Sequence, residues 1–423
     1  MTAPTMSVTS SPSPGWFTPA DCRLEDFRPL VEQATRLDEY PHADAVEQNV
    51  LIYGGGLGGG AETAGERREV QAELARALLH GPGIVVFKRA FAAAAVDRAT
   101  EVFAALIEEQ RAAGLAGGDH FAKPGANDRI WGALDKFALC APQQFADYYS
   151  GDVLALICEA WLGPHYQVTS QVNVVNPGGQ AQVVHRDYHL GFMDREQARA
   201  YPAHTHLLSP ALTLQGAVAH CDMPAESGPT MYLPHSQKYR PGYVAFHQPE
   251  FAEYFGAHYA QLPLEKGDAA FFNPALFHGA GTNRSAGIKR MANLLQVSSA
   301  FGRAMERVDT TAICAAVFPA LKARAAAGGQ GGAGGQGGAG DGGGAGDGGG
   351  AGGGSGAAGR AVRNLIAVVA EGYPFPTNLD RDQPIGGLAP QSQAQLLSQA
   401  LEQDWDVARL RAELAAQQER TRA

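Results

Sequence analysis

The chain has 423 residues, 45% of them hydrophobic and 18% charged, with a formal net charge of −10. That length suits one large or two ordinary globular domains with a core of their own. The acidic balance argues against a nucleic-acid or anionic-membrane partner, because tracking phosphates needs clustered Lys and Arg.

Taken in chain order, residues 1–65 read as a leader and glycine-rich loop, partly disordered. MTAPTMSVTSSPSPG has neither the basic nor the apolar region of an export signal. The apolar NVLIY runs into Gly54–Gly60, which formally matches GxGxxG at Gly54, Gly56 and Gly59 and is followed by a helical segment over Glu66–His80. A dinucleotide fold needs an acidic residue after the next strand. That strand, Ile84–Phe87, ends in Lys88-Arg89, so a plain flexible loop is the better reading.

Helical periodicity dominates up to about Trp161, with Val70, Leu74, Ala77 and Leu78 on one stripe and Val96–Ile107 on another. From Tyr166 to Ala300 the chain turns to short β-like runs: YQVTSQVNVV, AQVVH, TLQGAVAHC, TMYLP, DAAFFN and ANLLQVSSAF. Short strands broken by turn signals predict a sandwich or barrel. Helices are predicted again over Thr310–Ala327, Arg360–Glu371 and Ala389–Gln418. The Gly/Ala stretch 328–359 between the first two cannot bury apolar surface and reads as a disordered insert. The expected plan is a helical lead-in plus β core over 66–310 and C-terminal helices over 311–423. No apolar run approaches the roughly 18–20 residues of a spanning helix. Cys22, Cys140, Cys158, Cys221 and Cys314 are dispersed and show no CxxC spacing. They fit a reducing, cytoplasmic setting and no thiolate zinc site.

The feature that points to a chemistry is His185-Arg186-Asp187, answered 93 residues later by His278, with Arg290 twelve residues beyond. Two imidazoles and a carboxylate can occupy one face of an octahedral metal and leave three positions open, the ligand set of non-haem Fe(II) oxygenases. Residues i and i+2 of a strand share a side, so His185 and Asp187 can face inward from AQVVH while Arg186 faces away. A jelly-roll barrel would bring the distant His278, in the turn PALFHGAG, to the same mouth. HxD alone is common as a buried hydrogen-bonded pair, and His189, His204, His206, His220, His235, His247 and His258 are rival imidazoles. HRD also opens a kinase catalytic loop, but no matching DFG is present.

Three ordered blocks carry more weight: VVHRDYHLGF (Val183–Phe192), AHCDMPAESGPTMYLPHSQK (Ala219–Lys238) and KGDAAFFNPALFHGAGTNRS (Lys266–Ser285). With them the chain resembles the phytanoyl-CoA dioxygenase family of Fe(II)/2-oxoglutarate oxygenases. The resemblance implies a mainly β fold with flanking helices around a double-stranded β-helix (jelly-roll, cupin-like) core. It implies His185, Asp187 and His278 as iron ligands, and 2-oxoglutarate as a co-substrate turned over with O2 to succinate and CO2. The primary substrate is an unidentified small molecule or acyl compound, which hydroxylation would suit. The family's co-substrate arginine falls about eleven residues after the distal His, where this sequence has Lys289 followed by Arg290, and only arginine offers a fork that matches a carboxylate. Arg290 is the favoured residue, with Lys289 as the alternative point charge. A serine often found two residues past the distal His is Ala280 here, so Gln171 and Asn173 are candidates to supply a missing co-substrate contact. Retention of Asp187, which related halogenases replace, implies oxygen chemistry. Two other readings stay open: a non-oxidative cupin-like isomerase or hydrolase, and a silent binding protein on the same scaffold. Tyr188, His189, Phe192, Tyr232, Tyr243 and the segment Phe121–Trp131 are the places where substrate contacts are expected.

Overall fold

A computed structural model describes residues 14–54, 57, 63–114, 126–330 and 356–422. The expected leader 1–13, most of the glycine loop, Phe121 and the greater part of the glycine insert lie outside the described residues. Among the described residues there are ten strands: β1 Ala45–Glu47, β2 Val50–Tyr53, β3 Ile84–Phe87, β4 Asn127–Ile130, β5 Gln167–Val175, β6 Thr213–Ala219, β7 Thr230–Leu233, β8 Ala269–Phe272, β9 Phe277–Ala280 and β10 Arg290–Ser298. Eight of them make one sheet in the order β1-β2-β3-β8-β6-β10-β5-β4, and β7 pairs with β9 in a small second sheet. All pairs are antiparallel except β2 with β3. The core is a double-stranded β-helix with helices packed around it.

Alternation along the strands sorts the two faces of the large sheet. Val168, Val172, Leu214, Val218, Phe271, Leu295 and Val297 join one core cluster with the helices Ala64–Leu79, Ala93–Ala112, Ala133–Cys140, Pro142–Tyr149, Asp152–Leu162 and Thr310–Gln330. The opposite face meets the second sheet: Val50, Ile52, Ile84, Val86 and Phe272 pack against Tyr232, Ala260 and Leu276. Where β6, β10 and β5 extend past that cluster, the same inward face lines an open cavity.

The folded unit begins well before residue 66. Residues 45–53 supply β1 and β2, and an earlier helix, Leu24–Val31, buries Phe27 and Val31 in a third cluster with Tyr239, Phe251 and Phe277. The glycine-rich segment lies between β2 and helix Ala64–Leu79 within a parallel β–α–β crossover. The helix start is closed by its own residues: Thr63 Oγ1 accepts from Glu66 N at 3.2 Å, and the Glu66 carboxylate accepts from Thr63 N at 3.0 Å. Lys88-Arg89, which speaks against a dinucleotide fold, anchors β3 to the start of β8 instead. Lys88 forms an ion pair with the fully buried Asp268, which also accepts from Arg89 N at 2.8 Å and Glu265 N at 2.9 Å.

Two other expectations change. AQVVH forms no strand; it joins β9 through the isolated bridge His185–His278 and a hydrogen bond from Gln182 N to Ala280 O at 2.9 Å. The expected C-terminal helix Ala389–Gln418 is two, Gln393–Glu402 and Val407–Thr421. Asp404, at φ 51°, breaks it, and Asp406 caps the second helix by accepting from Arg409 N at 2.7 Å. All five cysteines are free thiols. Among the described residues no helix is long and apolar enough to cross a membrane.

Candidate metal centre

His185 and His278 are held face to face by their backbones. His185 N donates to His278 O at 3.0 Å, and His278 N returns the bond to His185 O at 3.1 Å. Two residues on, Asp187 N donates to Pro274 O at 3.0 Å, and Tyr243 Oη donates to Asp187 O at 3.2 Å. The three side chains converge so that one ligand atom from each lies within 4.8 Å of the others. His185 Nε2 is 3.8 Å from Asp187 Oδ1, and His278 Nε2 is 3.4 Å from Asp187 Oδ2. Neighbouring donors on an octahedral ion with bonds of about 2.1 Å would sit roughly 3 Å apart, so modest closing would complete the set.

The tautomers suit metal binding. His185 Nδ1 lies 2.7 Å from Val183 O and His278 Nδ1 lies 2.9 Å from Leu276 O. A ring nitrogen facing a carbonyl must carry the proton, which leaves each Nε2 lone pair directed at the cluster. Burial would raise the Asp187 carboxyl, but His185, His278 and the amide of Gln215 outweigh it and hold the group well below the usual carboxylate range. The donor set is thus two imidazole Nε2 atoms and one carboxylate, which fits a divalent first-row metal.

Arg186 faces away from the cluster, as the strand parity requires, but into protein rather than solvent. It is 1% exposed, donates Nη2 to Ser236 O at 2.6 Å and Tyr239 O at 2.9 Å, and lies 5.1 Å from the ring centres of both Tyr243 and Phe277. It pins the backbone between His185 and Asp187 to the third cluster. Gly242 makes room for it: a Cβ there would stand 1.9 Å from the guanidinium carbon. Gly242→Ala is therefore expected to cost about 1–3 kcal/mol through overpacking. Denaturant unfolding reads this directly, and an unchanged midpoint would contradict the packing account.

The cluster opens into a cavity of about 430 Å³. Arg290 lines it from β10; the residue is 6% exposed, its Nη1 donates to Ser227 O at 3.2 Å and Gly281 O at 3.3 Å, and it forms no ion pair with any described residue. Burial lowers its pKa to about 10, so the guanidinium stays charged at neutral pH. Lys289, the alternative, is exposed and lies outside the lining. Asn173 lines the cavity beside Ala292. Gln171 shares that face, but its amide is engaged by Arg129, by Gln296 at 3.5 Å and by Met305 at 3.5 Å, and it is outside the lining. Trp131, Phe192 and Tyr232 reach the cavity, whereas Tyr188 and Tyr243 do not. His189 is 3.3 Å from Arg303 O and stays out of the cluster, and the buried His220 is taken by Thr100 and Tyr148. One contributor was not foreseen. Gln215, on β6, donates Nε2 to Asp187 Oδ2. The available signal was its parity: Gln215, Ala217 and Ala219 share one face of the strand TLQGAVA, and Gln215 is the polar member.

Comparison with known proteins adds the following. The family model described as phytanoyl-CoA dioxygenase (PhyH) matches residues 79–291. A search of curated proteins gives no match. Among solved structures, the chain is similar to the non-heme alpha ketoglutarate dependent carbocyclase SnoK from nogalamycin biosynthesis, at 17% identity over 56% of this chain and 87% of that one, with a TM-score of 0.41. It is also similar to AviO1 from Streptomyces viridochromogenes Tue57, at 17% identity over 55% and 96% of the two chains, with a TM-score of 0.40. HygX from Streptomyces hygroscopicus, crystallised with nickel, 2-oxoglutarate and hygromycin B, is 14% identical over 54% and 87%, with a TM-score of 0.35.

Proposed function

Because this chain belongs to the phytanoyl-CoA dioxygenase family, we propose that it is an Fe(II)/2-oxoglutarate-dependent dioxygenase that oxidises a small molecule, with hydroxylation as its reaction. The observation that carries the reading is a pairing within one cavity: the His185–Asp187–His278 cluster and a buried Arg290 that has no acidic partner among the described residues. A metal centre alone would serve many reactions. A cation buried without a counter-ion beside it calls for an anionic ligand, and a diacid that chelates the metal at one end satisfies both.

The residues would divide the work as follows. His185 and His278 offer Nε2 and Asp187 one carboxylate oxygen, so three protein groups hold the ion and three positions are left for ligands. Iron bound there supplies the oxygen activation and electron transfer that no side chain here can perform. Arg290 would take the far carboxylate of 2-oxoglutarate and so fix the direction from which its keto-acid end approaches the cluster. Apolar lining groups such as Met223, Leu264, Phe272 and Leu294 would limit water in the cavity. Trp131, Phe192, Gln296 and Arg129 line it as well, and they are where a primary substrate with both apolar and hydrogen-bonding surface would be held.

The direct test is co-substrate turnover. Purified protein supplied with Fe(II), 2-oxoglutarate and O2 is expected to form succinate slowly without a primary substrate and faster when a correct one is added. Omitting Fe(II) or O2 should stop it. Metal-dependent turnover of a candidate substrate without succinate formation would point to a non-oxidative isomerase or hydrolase on the same barrel.

A further inference from the structure

The Asp187 carboxylate is oriented by a side chain outside the ligand set. Gln215 is 6% exposed, lies on the inward face of β6 and lines the cavity, and its Nε2 donates to Asp187 Oδ2. The amide cannot be reversed without setting its oxygen against an oxygen of an ionised carboxylate, which accepts but does not donate. Its Oε1 is buried with no hydrogen-bond partner among the described residues. An unsatisfied buried acceptor is destabilising, and a leucine or methionine would fill the same space without it. What the amide gains is its bond to Asp187.

The backbone of Asp187 is already fixed by Pro274 and Tyr243. What those contacts leave undetermined is rotation of the carboxylate about its own bond. We propose that Gln215 is a positioning residue: by occupying Oδ2, it makes Asp187 bind the metal through the other oxygen alone. A carboxylate free to turn can chelate through both oxygens and would then consume one of the positions that the ligands need. A neutral donor suits this task, because it orients the carboxylate without cancelling the negative charge that holds the ion, as a lysine or arginine would. The proposal rests on the metal reading given above.

The test is cobalt(II) titration of the metal-free full chain, followed by calorimetry and by visible absorption, in wild type, Gln215→Met, Gln215→Leu and His185→Ala. Methionine matches glutamine in length and guards against a variant that fails to fold, which unfolding of the metal-free proteins checks. Both Gln215 variants are expected to show altered band intensity, as a second oxygen of Asp187 joins the ion and the coordination number changes, with cobalt affinity shifted by up to about 10–100-fold. Wild-type affinity and spectrum in both Gln215 variants, with cobalt binding lost in His185→Ala, overturns the proposal alone. Wild-type affinity in His185→Ala as well removes the metal reading on which it stands.

Discussion

His278→Ala is expected to abolish Fe(II)-dependent succinate formation, by about a thousand-fold or more, equivalent to at least about 4 kcal/mol of barrier. On the proposed reading His278 is one of three protein donors; it sits 4% exposed between Leu276 O and the cluster and is paired by both backbone bonds to His185. Losing its imidazole leaves one nitrogen and one carboxylate, too few to hold a weakly bound ion such as Fe(II) against water. The backbone pairing needs no side chain, so the fold should survive and the unfolding midpoint should move little. Iron content after anaerobic loading separates this from a general collapse: the variant should be folded and nearly iron-free. Wild-type succinate formation by a folded His278→Ala variant would show that the ion binds elsewhere.

Arg290→Leu should raise the KM for 2-oxoglutarate by about 10–150-fold, the equivalent of roughly 1.5–3 kcal/mol for hydrogen bonds to a charged group. Metal affinity should stay close to wild type, because Arg290 touches none of the three ligands. The same substitution relieves a buried charge with no counter-ion, so the metal-free protein should keep or gain stability. Lys289→Ala should change the same KM by less than about twofold, in keeping with the small effect of an exposed charge. The opposite ranking, a large effect at Lys289 and none at Arg290, would mean that the diacid enters by another route.

Much of this was legible in the sequence for definite physical reasons. Strand parity places His185 and Asp187 on one side and Arg186 on the other, and the structure keeps that parity even though AQVVH joins no ladder. The hydrogen bonds explain why. Gln182 N meets Ala280 O, His185 N meets His278 O and Asp187 N meets Pro274 O, an irregular register that brings the three cluster residues together without forming a strand. β9 was missed because FHGA is short and ends in small residues, and a turn reads the same way. The sequence left Arg290 and Lys289 one residue apart with no local pattern to choose between them; on β10 Arg290 shares the cavity-lining face with Ala292 and Leu294, and Lys289 precedes the strand. Gln215 was missed for a different reason: parity could put it on the inward face of β6 but not against Asp187. Its role exists only in its contact with a residue 28 positions away, and no local pattern encodes that pair. The early strands β1 and β2 were lost to the leader because three- and four-residue strands carry little periodicity of their own.

The account depends on one ion and one diacid sharing the cavity. Crystals grown or soaked without oxygen in Fe(II) and 2-oxoglutarate would test it most directly, through anomalous scattering at the iron edge. The expected map has a single peak within bonding distance of Nε2 of His185, Nε2 of His278 and one oxygen of Asp187, with diacid density running from that peak to the guanidinium of Arg290. An iron peak away from these three side chains, or a diacid lying elsewhere while Arg290 faces solvent, would contradict it.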